Sequence, residues 1–348
     1  MSPKDSVKAV VTSLGSRSVL VHADGLGEIR CSLRGHLWET SEEETRPLAV
    51  GDRVSLSPDL THGEDQCLEG VIEDVAPRRN RIARAPAGSR GAPGKRDPTK
   101  RGPGGGSAGR RPDQESGGRS RHTAAGKVQV IAANIDQILV VAALHSPPFR
   151  PGLVDRFLVA AAAEEIDVLL ILNKVDLANH DDERSVVEPF QQAGYSVIQT
   201  STVTGEGIEE LATAMASGIH LLVGHSGTGK SSLLNAVAPT LNLTTSEVTA
   251  HHGRGRHTTT HVSLLPLPAG GWVIDSPGIR EWVLEGVSPA LLARLYPGFG
   301  EIPHECHYGD CLHRDEPQCA LRQAVEEGLY PKDRYACYLR VLADLQGS

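Results

Sequence analysis

Residues 224–231 follow the pattern G-x-x-x-x-G-K-[ST], which is typical of a loop that holds nucleotide phosphates. Glycines let the backbone wrap closely around an anion, so successive N–H groups and the next helix N-terminus point at it. In such a loop Lys230 pairs with the β- and γ-phosphates, and Ser231 ligates Mg²⁺. The alternative is an ordinary glycine-rich turn between a strand and a helix. The predicted nucleotide-binding residues here are Gly224, His225, Ser226, Gly227, Thr228, Gly229, Lys230, Ser231 and Ser232.

A second motif follows a predicted strand and suits a guanine base: Asn173-Lys174-Val175-Asp176. Asp176 would accept from the base N1–H and exocyclic amine, a pair of donors that adenine lacks. Asn173 would bond the guanine edge, and the methylene stem of Lys174 would lie along the ring. Ser201-Thr202 follows another predicted strand and would supply a loop over the base. Alone, the tetrapeptide is also compatible with a capped turn, but beside a phosphate loop it indicates a guanine site.

Two further segments carry residues that suit a γ-phosphate and its Mg²⁺. In Asp275-Ser276-Pro277-Gly278, Asp275 would act through the water shell of the ion, and Gly278 would donate its N–H to the γ-phosphate. Residues 253–260 include the run His257-Thr258-Thr259-Thr260, from which a threonine could close onto Mg²⁺ and then relax after hydrolysis. Taken alone, Pro277-Gly278 indicates only a type II turn.

A third group of residues has the spacing of metal ligands: Cys306-x4-Cys311-x-His313-x5-Cys319. Three thiolates and one imidazole make a closed tetrahedral zinc site with no open position for catalysis, so we expect a structural ion. Buried or redox-idle cysteines are the alternative. His304 and His307 flank the group as possible competing ligands, and Cys337 is interpreted as a packing residue in a helix.

The composition places these motifs in a soluble, multidomain chain. Its 348 residues, 39% of them hydrophobic, are enough for two or three domains. No apolar run reaches the length of a membrane helix, and the N-terminus lacks the apolar region of a signal peptide, so we expect a cytoplasmic protein. Fourteen Lys/Arg and three Asp/Glu give residues 78–127 a charge of +11 and leave −19 in the rest, which favours a polyanion-binding segment.

The pattern of elements divides the chain into four parts. Residues 1–85 show short strands separated by turns, which fit an OB-type barrel or, nearly as well, an SH3-like one. Residues 86–127 are rich in Gly, Arg and Pro and form a basic linker or insertion, either an RNA-tethering arm or a solvated spacer. In residues 128–286 strands alternate with helices, which predicts a doubly wound, mostly parallel sheet. Short helices surround the cysteine group in residues 287–348.

These five nucleotide segments resemble the five signature motifs of translational GTPases in a circularly permuted order, because the base-reading segments precede the phosphate loop. With the barrel and the cysteine group, the whole chain resembles the ribosome small-subunit-dependent GTPase A (RsgA) family; Ala133-Asn134-Ile135-Asp136-Gln137 is a further match. The resemblance implies an OB-fold domain, a permuted GTPase domain and a zinc-binding helical domain. It implies the same four zinc ligands and one structural Zn²⁺, Mg²⁺ bound with GTP through Ser231, and Thr259 as the second Mg²⁺ ligand.

The same resemblance implies a function in late maturation of the small (30S) ribosomal subunit. The expected activity is hydrolysis of GTP to GDP and phosphate, stimulated by the subunit, with the nucleotide state controlling docking to and release from the subunit and its rRNA. We expect a monomer with no membrane contact. One alternative is a P-loop ATPase or small-molecule kinase, against which Asn173–Asp176 argues, and the other is an RNA-binding assembly protein that uses GTP only as a structural ligand.

The predicted site also needs a residue that orients the attacking water. Many GTPases carry a glutamine directly after D-x-x-G, where this chain has Ile279, and an aliphatic side chain can neither orient water nor stabilise charge. Slow intrinsic hydrolysis is therefore expected. His257 is the candidate catalytic group, acting as a neutral imidazole beside Thr259; alternatively it packs or binds rRNA beside Arg254 and Arg256.

Overall fold

The computed structural model describes residues 6–15, 18–39, 44–62, 68–84, 128–177, 179–243, 262–275, 287–302 and 305–347. The strands are β1 Val7–Leu14, β2 Val19–Ala23, β3 Gly27–Leu33, β4 Arg53–His62, β5 Leu68–Val75, β6 Arg81–Arg84, β7 Gln129–Ala133, β8 Gln137–Ala143, β9 Asp167–Asn173, β10 Ser196–Thr200, β11 Ile219–Val223, β12 Ser263–Pro266 and β13 Trp272–Asp275. The helices are α1 His36–Glu39, α2 Pro151–Ala163, α3 His180–Gln192, α4 Ile208–Ala214, α5 Lys230–Val237, α6 Pro289–Leu295, α7 Ala320–Glu326 and α8 Lys332–Gln346.

The first five strands close into a barrel. Its strand order is β1-β2-β3-β5-β4, and β4 returns to pair with β1; β3 and β5 are parallel, and the other pairs are antiparallel. Alternate residues along these strands are buried, as in Val19, Val21 and Ala23 of β2, because successive side chains of a strand point to opposite faces. The structure therefore confirms the predicted OB-type barrel.

The central domain is a sheet with helices on both faces. Strands β10, β9, β8, β11 and β13 lie side by side in this order and are parallel, and β12 pairs antiparallel with β13. One hydrophobic core packs α2 against one face of the sheet, and a second packs α4 and α5 against the other. The predicted doubly wound, mostly parallel sheet is confirmed.

The barrel and the central sheet are continuous, which the sequence did not predict. Ser13 of β1 pairs with Ser263 of β12, so the sheet runs through eleven strands. Close by, the ring of His22 on β2 meets the ring of Trp272 on β13 edge-on at 4.9 Å between centroids. The barrel therefore contacts the hairpin that ends at the nucleotide-sensing segment predicted to start at Asp275.

A two-stranded sheet forms a second junction. β6 and β7 pair antiparallel, so the predicted basic insertion, which lies outside the described residues, connects two adjacent strands. Next to them the Asn80 side chain donates to the Ile135 carbonyl at 2.9 Å and accepts from its N–H at 2.8 Å. The Asn134 side chain donates to the Gly51 carbonyl at 3.0 Å. These buried amides attach the barrel to the first strand of the central domain.

The C-terminal domain has a core of its own, built from α6, α7, α8 and the loop that carries the cysteine group. Tyr296, Phe299 and Tyr338 form its aromatic centre, with ring centroids 4.8–5.1 Å apart. Among the described residues no helix combines the length and apolar character that crossing a membrane requires.

The barrel junction yields a stability prediction at Gly51, whose φ is +88°. A Cβ there would lie 2.2 Å from the Ala133 carbonyl oxygen, so Gly51→Ala adds a backbone clash to the left-handed strain. We expect it to lower the free energy of unfolding by about 3 kcal/mol. Gly25→Ala is the control, since Gly25 has φ +79° and open space around its Cβ position; its cost should be about 1 kcal/mol. Urea denaturation measures the free energy of unfolding of both variants. An equal loss of this free energy in Gly51→Ala and Gly25→Ala would contradict the predicted clash.

Candidate nucleotide and zinc sites

The carboxyl ends of three parallel strands bring the nucleotide motifs to one edge of the sheet. β9 ends at Asn173, which is in register with Thr200, the last residue of β10. β11 ends at Val223, directly before the predicted phosphate loop, and lies beside β8. The chain visits these strands in a permuted order, yet the motifs meet where ligands bind in open α/β sheets.

The phosphate loop closes around its own lysine. The Lys230 ammonium donates to the Gly224 carbonyl at 3.0 Å and to the His225 carbonyl at 2.8 Å. The buried Thr228 hydroxyl also donates to the His225 carbonyl, at 2.9 Å. α5 begins at Lys230, so the loop leads directly into a helix N-terminus. The positive charge and the helix end are thus both in position for an anion.

The Asn173 amide joins the base-reading segments to the phosphate loop. Its side chain is buried, and its Nδ2 donates to the Thr228 carbonyl at 2.8 Å. Its Oδ1 accepts from the Thr200 hydroxyl at 3.0 Å. Thr200 was not among the residues predicted from the sequence, although its place at the end of a strand, directly before Ser201-Thr202, was a usable signal. In the structure both polar atoms of the Asn173 amide form hydrogen bonds within the protein. The contact of Asn173 with guanine stays a prediction.

Asp176 and Ser201 lie together, as a shared base site requires. The Ser201 hydroxyl donates to Asp176 Oδ1 at 2.5 Å and accepts from the Val203 and Thr204 N–H groups at 3.2 Å. This bonding folds residues 201–204 into a turn beside the exposed Asp176 carboxylate. Lys174 donates to the Ser146 carbonyl at 2.5 Å, which anchors its side chain next to the turn after β8. Val175 is buried, and Thr202 is exposed.

The residues predicted to sense the γ-phosphate are described only in part. Asp275 ends β13, next to β11, so its backbone lies at the same sheet edge as the phosphate loop. Ser231 and Ser232 occupy the first turn of α5. Gly278, His257 and Thr259 lie outside the described residues. Their roles, and the Mg²⁺ site that Ser231 and Thr259 would share, stay predictions.

The four predicted zinc ligands form one cluster. The ligand atoms of Cys306, Cys311, His313 and Cys319 all lie within 4.8 Å of one another. The sulfurs of Cys306 and Cys319 are 3.9 Å apart, and His313 Nδ1 lies 3.4 Å and 3.5 Å from them. Zinc–sulfur bonds of about 2.3 Å in a tetrahedron place two sulfurs about 3.8 Å apart, so the donor set fits Zn²⁺. His307 is exposed and outside the cluster, and His304 lies outside the described residues.

Burial gives this cluster the electrostatics of a metal site. It raises the pKa of the Cys311 thiol to about 12 and lowers the pKa of the His313 imidazole. Without a cation the Cys311 thiol would stay protonated, whereas Zn²⁺ binds thiolates and stabilises their negative charge. The lowered pKa keeps His313 neutral, which is the form that ligates metal.

Hydrogen bonds from α8 hold the ligand loop in place. The Tyr335 hydroxyl donates to the His313 carbonyl at 2.7 Å, and the Tyr338 hydroxyl donates to the Leu312 carbonyl at 2.5 Å. The Glu316 carboxylate accepts from the N–H groups of Leu312 and Arg314 at 3.0 Å and 2.8 Å. Cys337 is also buried on α8 but is not part of the cluster, as predicted.

These features define a class of protein: a P-loop nucleotide-binding domain with permuted motif order, between a five-stranded barrel and a Cys/His metal site. A sequence profile described as RsgA GTPase matches residues 118–285. The small ribosomal subunit biogenesis GTPase RsgA of Chlorobaculum tepidum is 35% identical over 344 residues, which are 98% of this chain and 99% of that protein. The chain therefore belongs to the RsgA GTPase family, and the resemblance found in its sequence is confirmed.

Two solved structures share the whole architecture. YjeQ from Thermotoga maritima matches with a TM-score of 0.70 at 30% identity, covering 99% of both chains. YloQ, described as a circularly permuted GTPase, matches with a TM-score of 0.68 at 23% identity, covering 100% of this chain and 98% of that one. The three-part fold is thus that of its structural neighbours.

The metal cluster yields a second prediction. Cys311→Ser should remove one thiolate, lower the zinc content and destabilise the C-terminal domain, because metal binding and folding are coupled in small sites. Cys337→Ser is the matched control, since it removes a buried thiol from the same domain but not from the cluster. Zinc is measured by elemental analysis of protein purified without chelators, and stability by thermal unfolding. Absence of zinc from the purified native protein would refute the assignment of this cluster as a zinc site.

Proposed function

We propose that this protein hydrolyses GTP in the maturation of the small ribosomal subunit, with its nucleotide state controlling docking and release. The observation that carries the nucleotide part is the Asn173 amide, which bonds to the phosphate loop beside the Asp176 carboxylate. A P-loop ATPase or kinase has no need of an acidic group at this position. The curated relatives support the ribosomal part, because their name is small ribosomal subunit biogenesis GTPase.

In the proposed mechanism the phosphate loop binds the β- and γ-phosphates through its N–H groups, and Lys230 turns from the loop carbonyls to the phosphate oxygens. Ser231, Thr259 and, through water, Asp275 would hold Mg²⁺, which when bound neutralises charge on the β- and γ-oxygens. Gly278 donates its N–H to the γ-phosphate. Asp176 accepts from guanine and sets the choice of base.

The attacking water would be oriented by His257, since Ile279 offers no polar group. His257 lies in a Gly/Arg-rich segment, and contact of its basic residues with rRNA of the small subunit would place the imidazole at the γ-phosphate. The subunit would thereby act as the activator. This segment precedes β12, and β12 pairs with β1 of the barrel. A nucleotide-dependent change in the segment would therefore also affect the barrel.

The proposal is tested by single-turnover GTP hydrolysis with and without small subunits, together with nucleotide-dependent co-sedimentation. We expect stimulation by small but not large subunits, and stronger co-sedimentation with a non-hydrolysable GTP analogue than with GDP. Binding without any stimulated turnover would instead support an RNA-binding assembly protein that uses GTP as a structural ligand.

Guanine specificity gives the third prediction. Asp176→Asn replaces an acceptor by a group that also donates, so GTP affinity should fall by about tenfold to a hundredfold and xanthosine triphosphate affinity should rise. Asp181→Asn, an exposed aspartate on α3, is the control and should leave both affinities unchanged. Equilibrium titration with fluorescent analogues measures them. Equal affinity of the native protein for ATP and GTP would refute guanine recognition.

The fourth prediction concerns His257. His257→Ala should abolish most subunit-stimulated turnover while GTP affinity stays within a few-fold, because the imidazole would orient water without contacting the ground-state nucleotide. His251→Ala, six residues earlier in the chain, serves as the control and should retain stimulation. Stimulated turnover that survives in His257→Ala would show that the activator supplies the positioning group.

A further inference from the structure

Helix α2 belongs to two hydrophobic cores at once. Phe157 and Leu158 pack in the core of the central domain, together with Val140 of β8 and Val223 of β11. Val159 packs instead in the core of the C-terminal domain. A helix that is buried on opposite faces cannot shift relative to one domain without disturbing its packing against the other.

The first turns of α2 reach the phosphate loop. Leu153 and Val154 line a narrow crevice together with Gly224, His225 and Thr228. On the same side, Val223, the residue directly before the loop, packs in one core with Val154. The position of α2 therefore bears directly on the shape of the loop that would hold the phosphates.

A buried polar cluster attaches α2 to the C-terminal domain. The Asp155 carboxylate on α2 is fully buried and accepts from Arg334 Nη1 on α8 at 2.5 Å and from the Tyr296 hydroxyl at 2.5 Å. The Arg334 guanidinium also lies over the Phe190 ring of α3, 4.6 Å from its centroid. A buried charge that loses its partner is strongly destabilised, so these groups hold α2 and α8 in one relative arrangement.

The other end of this connection is the ligand loop of the zinc site. Arg334 lies on α8, directly before Tyr335 and one turn before Tyr338, and the hydroxyls of these two tyrosines donate to the carbonyls of His313 and Leu312. Ordering of the ligand loop by Zn²⁺ thus fixes two contacts of α8. Through Arg334 and Asp155 the same helix fixes α2 against the phosphate loop.

We infer that α2 and α8 couple the zinc site to the phosphate loop, so that filling either site raises the affinity of the other. The inference rests on the proposed nucleotide and zinc sites and adds a dependence between them. Each ligand stabilises the one arrangement of the two helices that the Asp155–Arg334 pair permits. Because coupling free energies are reciprocal, both affinities must change by the same factor.

The test measures both affinities of the full-length protein. The zinc dissociation constant is obtained by competition with a chelator of known affinity, with and without saturating GMPPNP and MgCl₂. The GMPPNP dissociation constant is measured on zinc-loaded and zinc-stripped protein. We expect each ligand to tighten the other by the same factor, about fivefold or more.

Two variants separate this coupling from general stability. In Asp155→Leu/Arg334→Met the ion pair is replaced by apolar side chains, which preserves packing but removes the directional bonds, and the factor should fall below about twofold. Arg156→Ala is the matched control, because Arg156 and Asp344 form an exposed ion pair between the same two helices. Exposed pairs contribute little, so this variant should keep the native factor.

Should the double variant not fold, Tyr296→Phe removes only the hydroxyl that donates to Asp155 and should give an intermediate factor. A native factor of one, or an unchanged factor in the Asp155→Leu/Arg334→Met or Tyr296→Phe variant, would overturn the coupling. Failure of the native protein to bind GMPPNP at all would refute the proposed function instead.

Discussion

The Asn173 side chain imposes the constraint on which the nucleotide site depends. A buried amide must satisfy its polar atoms within the protein, and this one bonds to the phosphate loop through Thr228 and to β10 through Thr200. The approach is so close that a Cβ at residue 229 would lie 2.4 Å from Asn173 Nδ2, which explains the glycine there, with φ +93°. Removing the amide would leave a buried carbonyl and a buried hydroxyl without their partner, which costs more than one lost bond.

The permuted chain order changes what adjoins this site, not the site itself. Parallel strands collect the motifs at one sheet edge in whatever order the chain supplies them. The β12–β13 hairpin lies between the two segments predicted to contact the γ-phosphate, and β12 pairs with the barrel at Ser263. The permuted order leads the chain from the segment after Asp275 into α6. Both flanking domains are therefore connected to segments that are predicted to respond to the nucleotide.

Local patterns predicted much of this architecture. Short strand patterns coincide with β10, β11 and β13, and α5 begins at Lys230, directly after a glycine-rich turn. The four residues of the Cys/His cluster follow from their spacing alone. The pairing of β1 with β12 could not be predicted, because it depends on contacts between residues about 250 positions apart, which no local pattern records. The hydrogen bond from Asn173 to the phosphate loop could not be predicted either. A motif identifies the residue type at a position, but not the partner that the residue meets in the folded protein.

The burial of Asp155 is a further feature that local sequence patterns could not predict. A carboxylate in an alanine-rich helix reads as a solvated side chain, and only the fold reveals that it is fully buried between two domains. Alanines at 160 and 161 help to bring the helix close to the sheet, because small side chains allow close packing. Because α2 packs in both cores, an apolar residue at 155 would also pack well there. It would not, however, fix one orientation of α8 relative to α2. The hydrogen bonds that Asp155 accepts from Arg334 and from the Tyr296 hydroxyl are directional, so they fix the orientation of α8 relative to α2. In the proposed coupling these bonds make α2 sensitive to both ligand sites.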